Sequence, residues 1–498
     1  MGLKAIIAKR FAASVVHNLK AETEHAVEIQ QNLMLTLVSE AAATVFGKAN
    51  YLKEIEDYKS FQQAVDICDY EQLLHYIEEI KSGKPNILWP GKPVYLCKTS
   101  GTTSGIKYIP ITKESLPHHI KAARNALLFY INETGNAGFI NGKMIFLQGS
   151  PKLEKIKGIP TGRLSGIVAH HVPAYLRRNR LPSYDTNCID DWETKVDRIV
   201  DETMKEKMTL ISGIPPWVQM YFEKLLEKSG KKTIAELFPS FSLFVHGGVN
   251  FKPYKPVFRH LIGKTVDSIE TYPASEGFIA YQDTREEEGL LLNCNSGIFY
   301  EFIPADKVFD DNPERLCLGD VKKGESYALV LNTNAGLWGY VIGDTVRFVS
   351  TDPYRLIVTG RIKHFISAFG EHVISEEVEI ALSEALKIYN AGITDFHVAP
   401  VVSPQSGLPY HEWFIEFSEE SADINILAHE IDRQLCRLNI YYNDLRKGNV
   451  LKQLLITRIR PKGFADYMKS LGKLGGQNKM PRLSNDNRIA DALSKLSR

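Results

Sequence analysis

A run of hydroxyl side chains and glycines near residue 100 could hold the phosphates of a nucleotide. Residues 99–110 read Thr-Ser-Gly-Thr-Thr-Ser-Gly-Ile-Lys-Tyr-Ile-Pro. Hydroxyls can donate hydrogen bonds to phosphate oxygens, glycines let the backbone bring its N–H groups close to an anion, and the lysine adds a positive charge. The predicted phosphate ligands are Thr99, Ser100, Gly101, Thr102, Thr103 and Lys107.

This run departs from the Walker phosphate loop. Only three residues separate Gly101 from Gly105, and an isoleucine stands between Gly105 and Lys107. Taken alone, the run is equally well explained as a polar turn at the surface. The nucleotide interpretation therefore depends on whether later segments could hold the base, the ribose and a metal ion.

Two later segments could hold the base and the metal. Gly247 and Gly248 follow an apolar stretch and leave room for a flat base against the backbone, although a simple turn explains them too. In Tyr-Pro-Ala-Ser-Glu, Tyr272 offers an aromatic face, Ser275 a hydroxyl for a phosphate, and Glu276 a carboxylate for Mg²⁺. Proteins commonly bind Mg²⁺ through one or two carboxylates plus phosphate oxygens. The alternative for Glu276 is a solvated loop carboxylate.

A third segment could bind the ribose. Residues 340–344 read Tyr-Val-Ile-Gly-Asp and end on the carboxylate of Asp344. A carboxylate suits a ribose diol because it accepts charge-assisted hydrogen bonds from both hydroxyls. A hairpin turn would also account for the Gly-Asp pair.

Alternating strands and helices predict the elements that would position these residues. The fold class is α/β with a mostly parallel sheet, followed by a β-rich part over 289–350 and a smaller α+β domain. In such folds ligands gather at the carboxyl ends of strands, where three of these segments are expected. The predicted strands include 94–98, 143–148, 209–212, 242–246 and 266–271, and the predicted helices include 69–80, 113–133 and 192–207.

Length and composition narrow the function classes. A chain of 498 residues is long enough for two or more domains. Its net charge of +1 gives no bulk attraction to nucleic acid or to an anionic membrane, and no apolar run approaches the roughly 20 residues that span a bilayer. The six cysteines are scattered, so we expect buried free thiols and a cytoplasmic protein.

The order and spacing of these motifs resemble the acyl-acid amido synthetases of the Gretchen Hagen family, plant auxin-responsive proteins and their bacterial relatives. That family belongs to the adenylate-forming superfamily of acyl-CoA synthetases and luciferases. The resemblance runs nearly end to end. It rests on the segments 44–48, 70–88, 99–107, 272–276 and 340–344 and on Gln-Asn-Lys-Met-Pro-Arg at 477–482.

The resemblance implies a role for each candidate residue in binding ATP. It places the ATP phosphates on 99–103, the adenine against Gly247, Gly248 and Val249, the base on Tyr272, and the ribose on Asp344 and near Arg361. It also implies that Ser275 contacts the α-phosphate and that Glu276 holds Mg²⁺. Lys479 corresponds to a lysine on a mobile domain that meets the acyl-phosphate, although by itself it could be an ordinary exposed lysine.

The implied enzyme is a ligase with an N-terminal adenylation domain over 1–361 and a mobile C-terminal domain over 362–498. It would use ATP and Mg²⁺ to convert a carboxylic acid to an acyl-AMP, and would then pass the acyl group to an amine, typically an amino acid. We expect a monomer. Transfer to a coenzyme A thiol and a catalytically silent nucleotide-binding protein are the two alternatives.

The residues that select the acid cannot be ranked from one sequence. The segments 159–175 and 212–220 are expected to line the acid pocket. Arg177, Arg178 and Arg180 could attract an anionic acid, with a solvated surface as the alternative.

Overall fold

The computed structural model of the chain describes residues 3–100, 106–172, 177–248, 251–308, 310, 312–362, 365–366, 373–389, 391–402, 404–418, 423–448, 450–474, 479–484 and 487–497. The chain forms two compact units. The N-terminal unit is Met1–Val249 with Leu261–Val358, and the C-terminal unit is Asn250–His260 with Thr359–Arg498. Among the described residues, no helix has both the length and the apolar character that crossing a bilayer requires.

Helices dominate the start of the N-terminal unit. They are α1 (Leu3–Glu24), α2 (Ala26–Ala41), α3 (Val45–Ala49), α4 (Tyr58–Ala64) and α5 (Tyr70–Lys81), with a short 3₁₀ turn at Leu52–Glu54. Helix α5 begins where the sequence predicts, because the side chain of Asp69 accepts hydrogen bonds from the backbone N–H groups of Glu71 and Gln72. It ends at Ser82-Gly83, where the glycine has a φ of 93°.

Strands and helices then alternate as predicted through the middle of the chain. The elements are β1 (Tyr95–Ser100), β2 (Ile106–Ile111), α6 (Leu116–Thr134), β3 (Lys143–Phe146), β4 (Glu154–Ile156), β5 (Ile159–Gly162), α7 (Leu164–His170), β6 (Arg180–Leu181), α8 (Tyr184–Asn187), α9 (Trp192–Thr203), β7 (Met208–Ser212), α10 (Pro215–Ser229), α11 (Ile234–Leu237), β8 (Leu243–Gly247), α12 (Lys255–Ile262) and β9 (Asp267–Pro273). Further 3₁₀ turns lie at Gly138–Asn141 and Lys252–Tyr254.

The predicted β-rich part completes the N-terminal unit. Its strands are β10 (Phe278–Tyr281), β11 (Leu290–Leu292), β12 (Ile298–Pro304), β13 (Ser326–Thr333), β14 (Tyr340–Thr351) and β15 (Tyr354–Arg361), with a 3₁₀ turn at Leu318–Asp320. They join the preceding strands in one eleven-stranded sheet of order β12-β13-β14-β15-β11-β10-β9-β8-β7-β3-β6.

The direction of the strands changes at β9. Strands β6, β3, β7, β8 and β9 are mutually parallel where they pair, whereas β9, β10 and β11 pair antiparallel, as do β12, β13 and β14. The carboxyl ends of β7, β8 and β9 therefore share one edge of the sheet. This arrangement confirms the predicted parallel α/β core followed by a β-rich part.

The segment around residue 100 differs from the prediction. The sequence predicts one strand, a phosphate loop and then a helix, but β1 pairs antiparallel with a second strand, β2, before α6 begins. Both strands belong to a four-stranded sheet of order β2-β1-β5-β4. Pro110 conceals β2 in the sequence, because proline is uncommon inside strands, yet it pairs with Leu96 in the ladder.

The C-terminal unit is an α+β fold, as predicted. Its elements after β15 are β16 (Phe365–Ile366), β17 (Val373–Ile374), α13 (Ser375–Ile388), β18 (Ile393–Val401), β19 (Tyr410–Phe417), α14 (Ile424–Leu438), α15 (Ile440–Lys447), β20 (Leu455–Ile459), α16 (Gly463–Ser470) and α17 (Arg488–Ser494). Strands β18, β19 and β20 form its main sheet, and a buried cluster that includes Leu382, Trp413 and Ile431 packs between this sheet and the helices.

Candidate functional site

The predicted base and ribose residues touch each other. The hydroxyl of Tyr272, on β9, donates a hydrogen bond of 2.6 Å to Oδ2 of Asp344, on β14. Each residue is only 8% exposed. A buried hydroxyl–carboxylate bond fixes the plane of the tyrosine ring and the direction of the carboxylate. The two side chains are therefore held in one orientation as a pair.

Asp344 lies within a strand and not in a hairpin turn. In the β13–β14 ladder the register shifts between Ala328 and Val330, opposite the segment that contains Gly343 and Asp344. Gly343 has a φ of 91°, which an L side chain rarely adopts. The ladder is therefore irregular at Gly343 and Asp344, and irregular ladders redirect side chains next to sites in many sheets.

The predicted glycine pair lies beside the same tyrosine. Gly247 ends β8 and pairs with Thr271, the neighbour of Tyr272, in the parallel β8–β9 ladder. A Cβ on Gly247 would lie 2.2 Å from the carbonyl oxygen of Thr271, so no side chain fits there. Gly248 follows with a φ of 84°. At the carboxyl end of β8, therefore, no side chain covers the backbone next to the ring of Tyr272.

Ser275 and Glu276 lie at the tip of a tight turn between β9 and β10. The turn is closed by a hydrogen bond of 2.9 Å from the N–H of Ala274 to the carbonyl of Gly277. Ser275 is 8% exposed, and Glu276 is half-buried. A carboxylate oxygen beside a hydroxyl is a donor set that Mg²⁺ and a phosphate can share, so this turn fits the predicted magnesium site.

Cys97 connects this turn to the predicted phosphate segment. Its thiol, on β1, lies close enough to Ser275 and Glu276 for both side chains to act on its pKa. Burial raises the pKa of the Cys97 thiol to about 12, so it stays neutral. The sequence predicted only a buried thiol here. The structure adds that β1 packs against the turn that carries the metal candidate.

The described part of the phosphate segment consists of the two strands of the β1–β2 hairpin. Thr99 pairs with Lys107 across the ladder, so both stand near the end of the hairpin. The ammonium of Lys107 lies 5.3 Å from the ring centre of Tyr70, whose hydroxyl accepts a hydrogen bond from the N–H of Tyr108. The predicted ligands Gly101, Thr102, Thr103 and Val249 lie outside the described residues, as do the side chains of Ser100 and Arg361.

Two predicted residues, Arg361 and Lys479, belong to the C-terminal unit. Lys479 is exposed at the start of a segment, 479–484, that runs beside β18. Val398 donates to the carbonyl of Arg482 and accepts from the N–H of Ser484. Arg482 also forms an ion pair with Asp395. The segment that carries the lysine is thus fastened to the sheet of its own unit.

The structure therefore brings Gly247, Tyr272, Ser275, Glu276 and Asp344 to one edge of the N-terminal sheet, with Thr99 and Lys107 on a hairpin that packs against it through Cys97. Sequence reasoning missed Cys97 as a contact of this edge and did not single out Arg163, whose charge acts on the same thiol. No motif marks either residue.

The chain matches the GH3 family N-terminal domain over residues 15–190 and 179–266, the GH3 family central domain over 291–361 and the GH3 family C-terminal domain over 376–488. A jasmonoyl–L-amino acid synthetase, JAR4 of Nicotiana attenuata, is 22% identical over 549 residues, covering 94% of this chain and 93% of that protein.

Solved structures show the same fold. The GH3.15 acyl acid amido synthetase, in complex with 2,4-DB, aligns with a TM-score of 0.80 at 16% identity and covers 98% of this chain and 96% of its own. A 2-hydroxyisobutyryl-CoA ligase in the postadenylation state aligns with a TM-score of 0.61 at 12% identity, covering 94% and 90% of the two chains. An amide-forming and a thioester-forming ligase thus share this architecture.

Proposed function

This chain belongs to the GH3 family and is a ligase of the acyl acid amido synthetase type, and from that premise we propose how its residues act. It converts a carboxylic acid and ATP to an acyl adenylate and then forms an amide with an amino acid. The observation that carries the residue assignment is the buried bond between Tyr272 and Asp344 beside the bare backbone of Gly247.

Tyr272, Asp344 and Gly247 form the nucleoside end of the site. The ring of Tyr272 offers a face for adenine, and Gly247 has no side chain that would obstruct it. Asp344 accepts hydrogen bonds from the ribose hydroxyls. Because the Tyr272–Asp344 bond already orients both groups, little freedom is lost when a nucleotide binds.

Ser275, Glu276, Thr99 and Lys107 form the phosphate end. Glu276 would hold Mg²⁺, which when bound neutralises charge on the phosphate oxygens. The acid's carboxylate oxygen attacks the α-phosphorus, a new P–O bond forms, and the bond to the leaving pyrophosphate breaks. Charge builds on the phosphoryl oxygens during attack, so positive groups raise the rate if they bind the transition state more tightly than the ground state.

Lys479 acts in the first step from the C-terminal unit. An ammonium group near the reacting phosphate stabilises the developing charge, and a lysine on a separate unit can leave before the amine arrives. In the second step the amine nitrogen attacks the acyl carbon, the bond to AMP breaks, and the nitrogen releases a proton. Exclusion of water protects the adenylate between the two steps.

The acceptor is an amine and not a thiol. The jasmonoyl–L-amino acid synthetase is the relative that supports this, since it is similar over nearly its whole length. The fold alone leaves both acceptors open, because a CoA ligase shares it. The monomeric state and the cytoplasmic location stay predictions.

ATP–pyrophosphate exchange tests the first step. The purified chain is assayed across a panel of carboxylic acids, and Glu276→Ala and Asp344→Ala are compared with Glu286→Ala, an exposed carboxylate on the loop that follows β10. We expect exchange with at least one acid. Glu276→Ala should lower it by about 10²-fold, the usual loss for one charge-stabilising group, and Glu286→Ala should not change it.

Product analysis tests the second step. The acid that supports exchange is incubated with ATP and either an amino acid mixture or coenzyme A, and the products are identified by mass spectrometry. We expect an amide. A thioester as the main product would overturn the proposed acceptor, and ATP binding without exchange on any acid would overturn the adenylation itself.

A further inference from the structure

Two positive side chains, for which the described residues provide no carboxylate partner, lie near the carboxyl ends of β3 and β7. They belong to a polar cluster that we define as Gln148, Arg163, Ser165, Asn187 and Lys195. All five residues lie in the N-terminal unit. Arg163 and Ser165 also lie in the segment 159–175 that is expected to line the acid pocket.

Lys195 is the buried centre of the polar cluster. It is 2% exposed, and its ammonium donates hydrogen bonds to the carbonyl oxygens of Gln148 (3.0 Å) and Asn187 (2.7 Å). An ammonium has three protons to donate, and in the described part of the chain no carboxylate lies within 4 Å of this one. Burial is the main reason that the pKa of Lys195 is lowered to about 8; the charge of Arg163 also lowers it, while Cys188 and Asp190 act in the opposite direction.

Arg163 brings a second positive charge to the same place. It stands immediately before α7, and none of the residues that the structure describes forms an ion pair or hydrogen bond with its guanidinium. Burial lowers the pKa of Arg163 as well. Asp190 acts on Lys195 only from beyond ion-pair distance. Two neighbouring cations that are withdrawn from water without an ion pair among the described residues are costly, and an anion bound between them would offset that cost.

The other members of the polar cluster have hydrogen-bonding atoms without partners. Nε2 of Gln148, Oγ of Ser165 and Oδ1 of Asn187 are buried and unpaired within the described ranges. Gly149 makes room for two of the side chains, because a Cβ there would lie 2.8 Å from Cδ of Arg163 and 3.3 Å from Oγ of Ser165. Unpaired buried polar atoms are rare in folded proteins, and a bound ligand or water would satisfy the two donors, Nε2 of Gln148 and Oγ of Ser165.

The polar cluster is next to the proposed site of adenylation. Ser275, Glu276 and Arg163 all lie close enough to the thiol of Cys97 to act on its pKa. A ligand that spans from Ser275 to Arg163 would therefore place one end at the α-phosphate and the other end in the polar cluster.

We propose that Arg163 and Lys195 bind a carboxylate that is not activated, and that this carboxylate is a second one on the acid substrate. The inference rests on the proposed adenylation and deepens it, because it makes the substrate class dicarboxylic acids. The amino acid acceptor also carries a carboxylate. We favour the acid as its source because Arg163 and Ser165 lie in the segment expected to line the acid pocket.

Pyrophosphate exchange without any amine separates the two sources. Two acid pairs are compared: hexanoate with adipate, which have the same chain length, and phenylacetate with 4-carboxyphenylacetate, which adds a carboxylate to the same ring. The variants are Arg163→Met, Arg163→Lys and Lys195→Met, and Arg198→Met, an exposed arginine on the same helix as Lys195, is the control. For the wild type we expect kcat/KM to be at least 10-fold higher with the diacid of each pair.

Arg163→Met should lower kcat/KM for the diacid about 10- to 100-fold, which is the range for losing one charge-assisted hydrogen bond. It should change kcat/KM for the monoacid less than 3-fold. Arg163→Lys should retain part of the preference, and Arg198→Met all of it. If Lys195→Met does not fold, the two Arg163 variants decide the question.

Three outcomes would overturn the proposal. Equal losses with monoacid and diacid would place Arg163 on the reacting carboxylate, and an effect seen only when an amino acid is added would make the acceptor the source. No preference in the wild type would also refute it while leaving adenylation intact. If no acid supports exchange, the proposed function fails, and the subsite is then judged by whether adipate raises the melting temperature of the wild type but not of Arg163→Met.

Discussion

Two regions of the N-terminal unit differ in whether their buried positive charges are paired with carboxylates. Beside β12, the guanidinium of Arg315 donates to both oxygens of Glu301, at 2.9 and 2.8 Å. Glu301 is fully buried and also accepts hydrogen bonds from Tyr58 and Asn332. Near the carboxyl ends of β3 and β7, by contrast, Arg163 and Lys195 lie close together with no carboxylate partner among the described residues.

The contrast separates charges that hold the fold together from charges that await a ligand. Arg315 and Glu301 complete each other's hydrogen bonds, so nothing is left for a ligand to do. Arg355 and Asp283 repeat this arrangement with bonds of 3.0 and 2.8 Å. Arg163 and Lys195 add nothing comparable to stability, and Arg163 lies near the Cys97 thiol, on which Ser275 also acts.

Removing Arg315 should change the free energy of unfolding more than any of the other substitutions proposed, and it tests whether the paired charges stabilise the fold. Arg315→Met should lower the free energy of unfolding by about 3–5 kcal/mol, because Glu301 would be left buried without its counter-ion. Urea titration followed by tryptophan fluorescence measures the change. As a control, Arg285→Met removes an arginine whose side chain is 39% exposed beside Glu133 and Asp267 and should cost no more than about 1 kcal/mol. Equal costs for the two variants would remove the distinction between buried and exposed pairs.

His119 represents a third arrangement, a buried ionisable group that stays neutral. It lies on α6 and is 4% exposed, and burial, with a smaller contribution from His118, lowers its pKa to about 4. The ordinary pKa of an unfolded histidine is about 6.5. Between these two values the unfolded chain binds a proton that the folded chain does not, so stability falls as the pH drops below 6.5.

At pH 5 this difference amounts to about 2 kcal/mol. His119→Gln cannot take up the proton, so its free energy of unfolding relative to the wild type should improve by that amount between pH 7.5 and pH 5. Urea titrations of both proteins at the two pH values measure it. A difference that is the same at both pH values would mean that His119 is protonated in the folded protein.

The order of the elements could be predicted from the sequence because it depends on local signals. The helix predicted over 69–80 forms as α5, because Asp69 caps its start and Gly83 follows its end. Strand β2 was missed because Pro110 argues against a strand, and its pairing with β1 is decided by tertiary contacts. The assignment of 250–260 to the C-terminal unit likewise has no local signal.

The sequence could predict those site residues that have a suitable side chain and also stand next to the end of a strand. The sequence predicted both Tyr272 and Asp344 as site residues, but it did not predict the hydrogen bond between them. The two residues are 72 positions apart in the chain and meet only through the order of strands in the sheet. Lys195 had a signal that could have been used, since it stands three residues after Trp192 on the apolar face of α9. Arg163 had none, because whether a charge is paired depends on its neighbours in space.

Removing Arg163 should change the free energy of unfolding least. It is also the most direct test of whether the paired and unpaired charges differ in their contribution to stability. Arg163→Met leaves no buried carboxylate behind, and it removes a cation whose burial is not offset by an ion pair within the described residues. The free energy of unfolding should therefore stay unchanged or rise by up to about 1 kcal/mol. Urea titration of Arg163→Met, carried out as for Arg315→Met, measures whether the free energy of unfolding is maintained or lowered. A loss above about 2 kcal/mol would show that Arg163 stabilises the fold, and the sheet edge would then resemble the paired region beside β12.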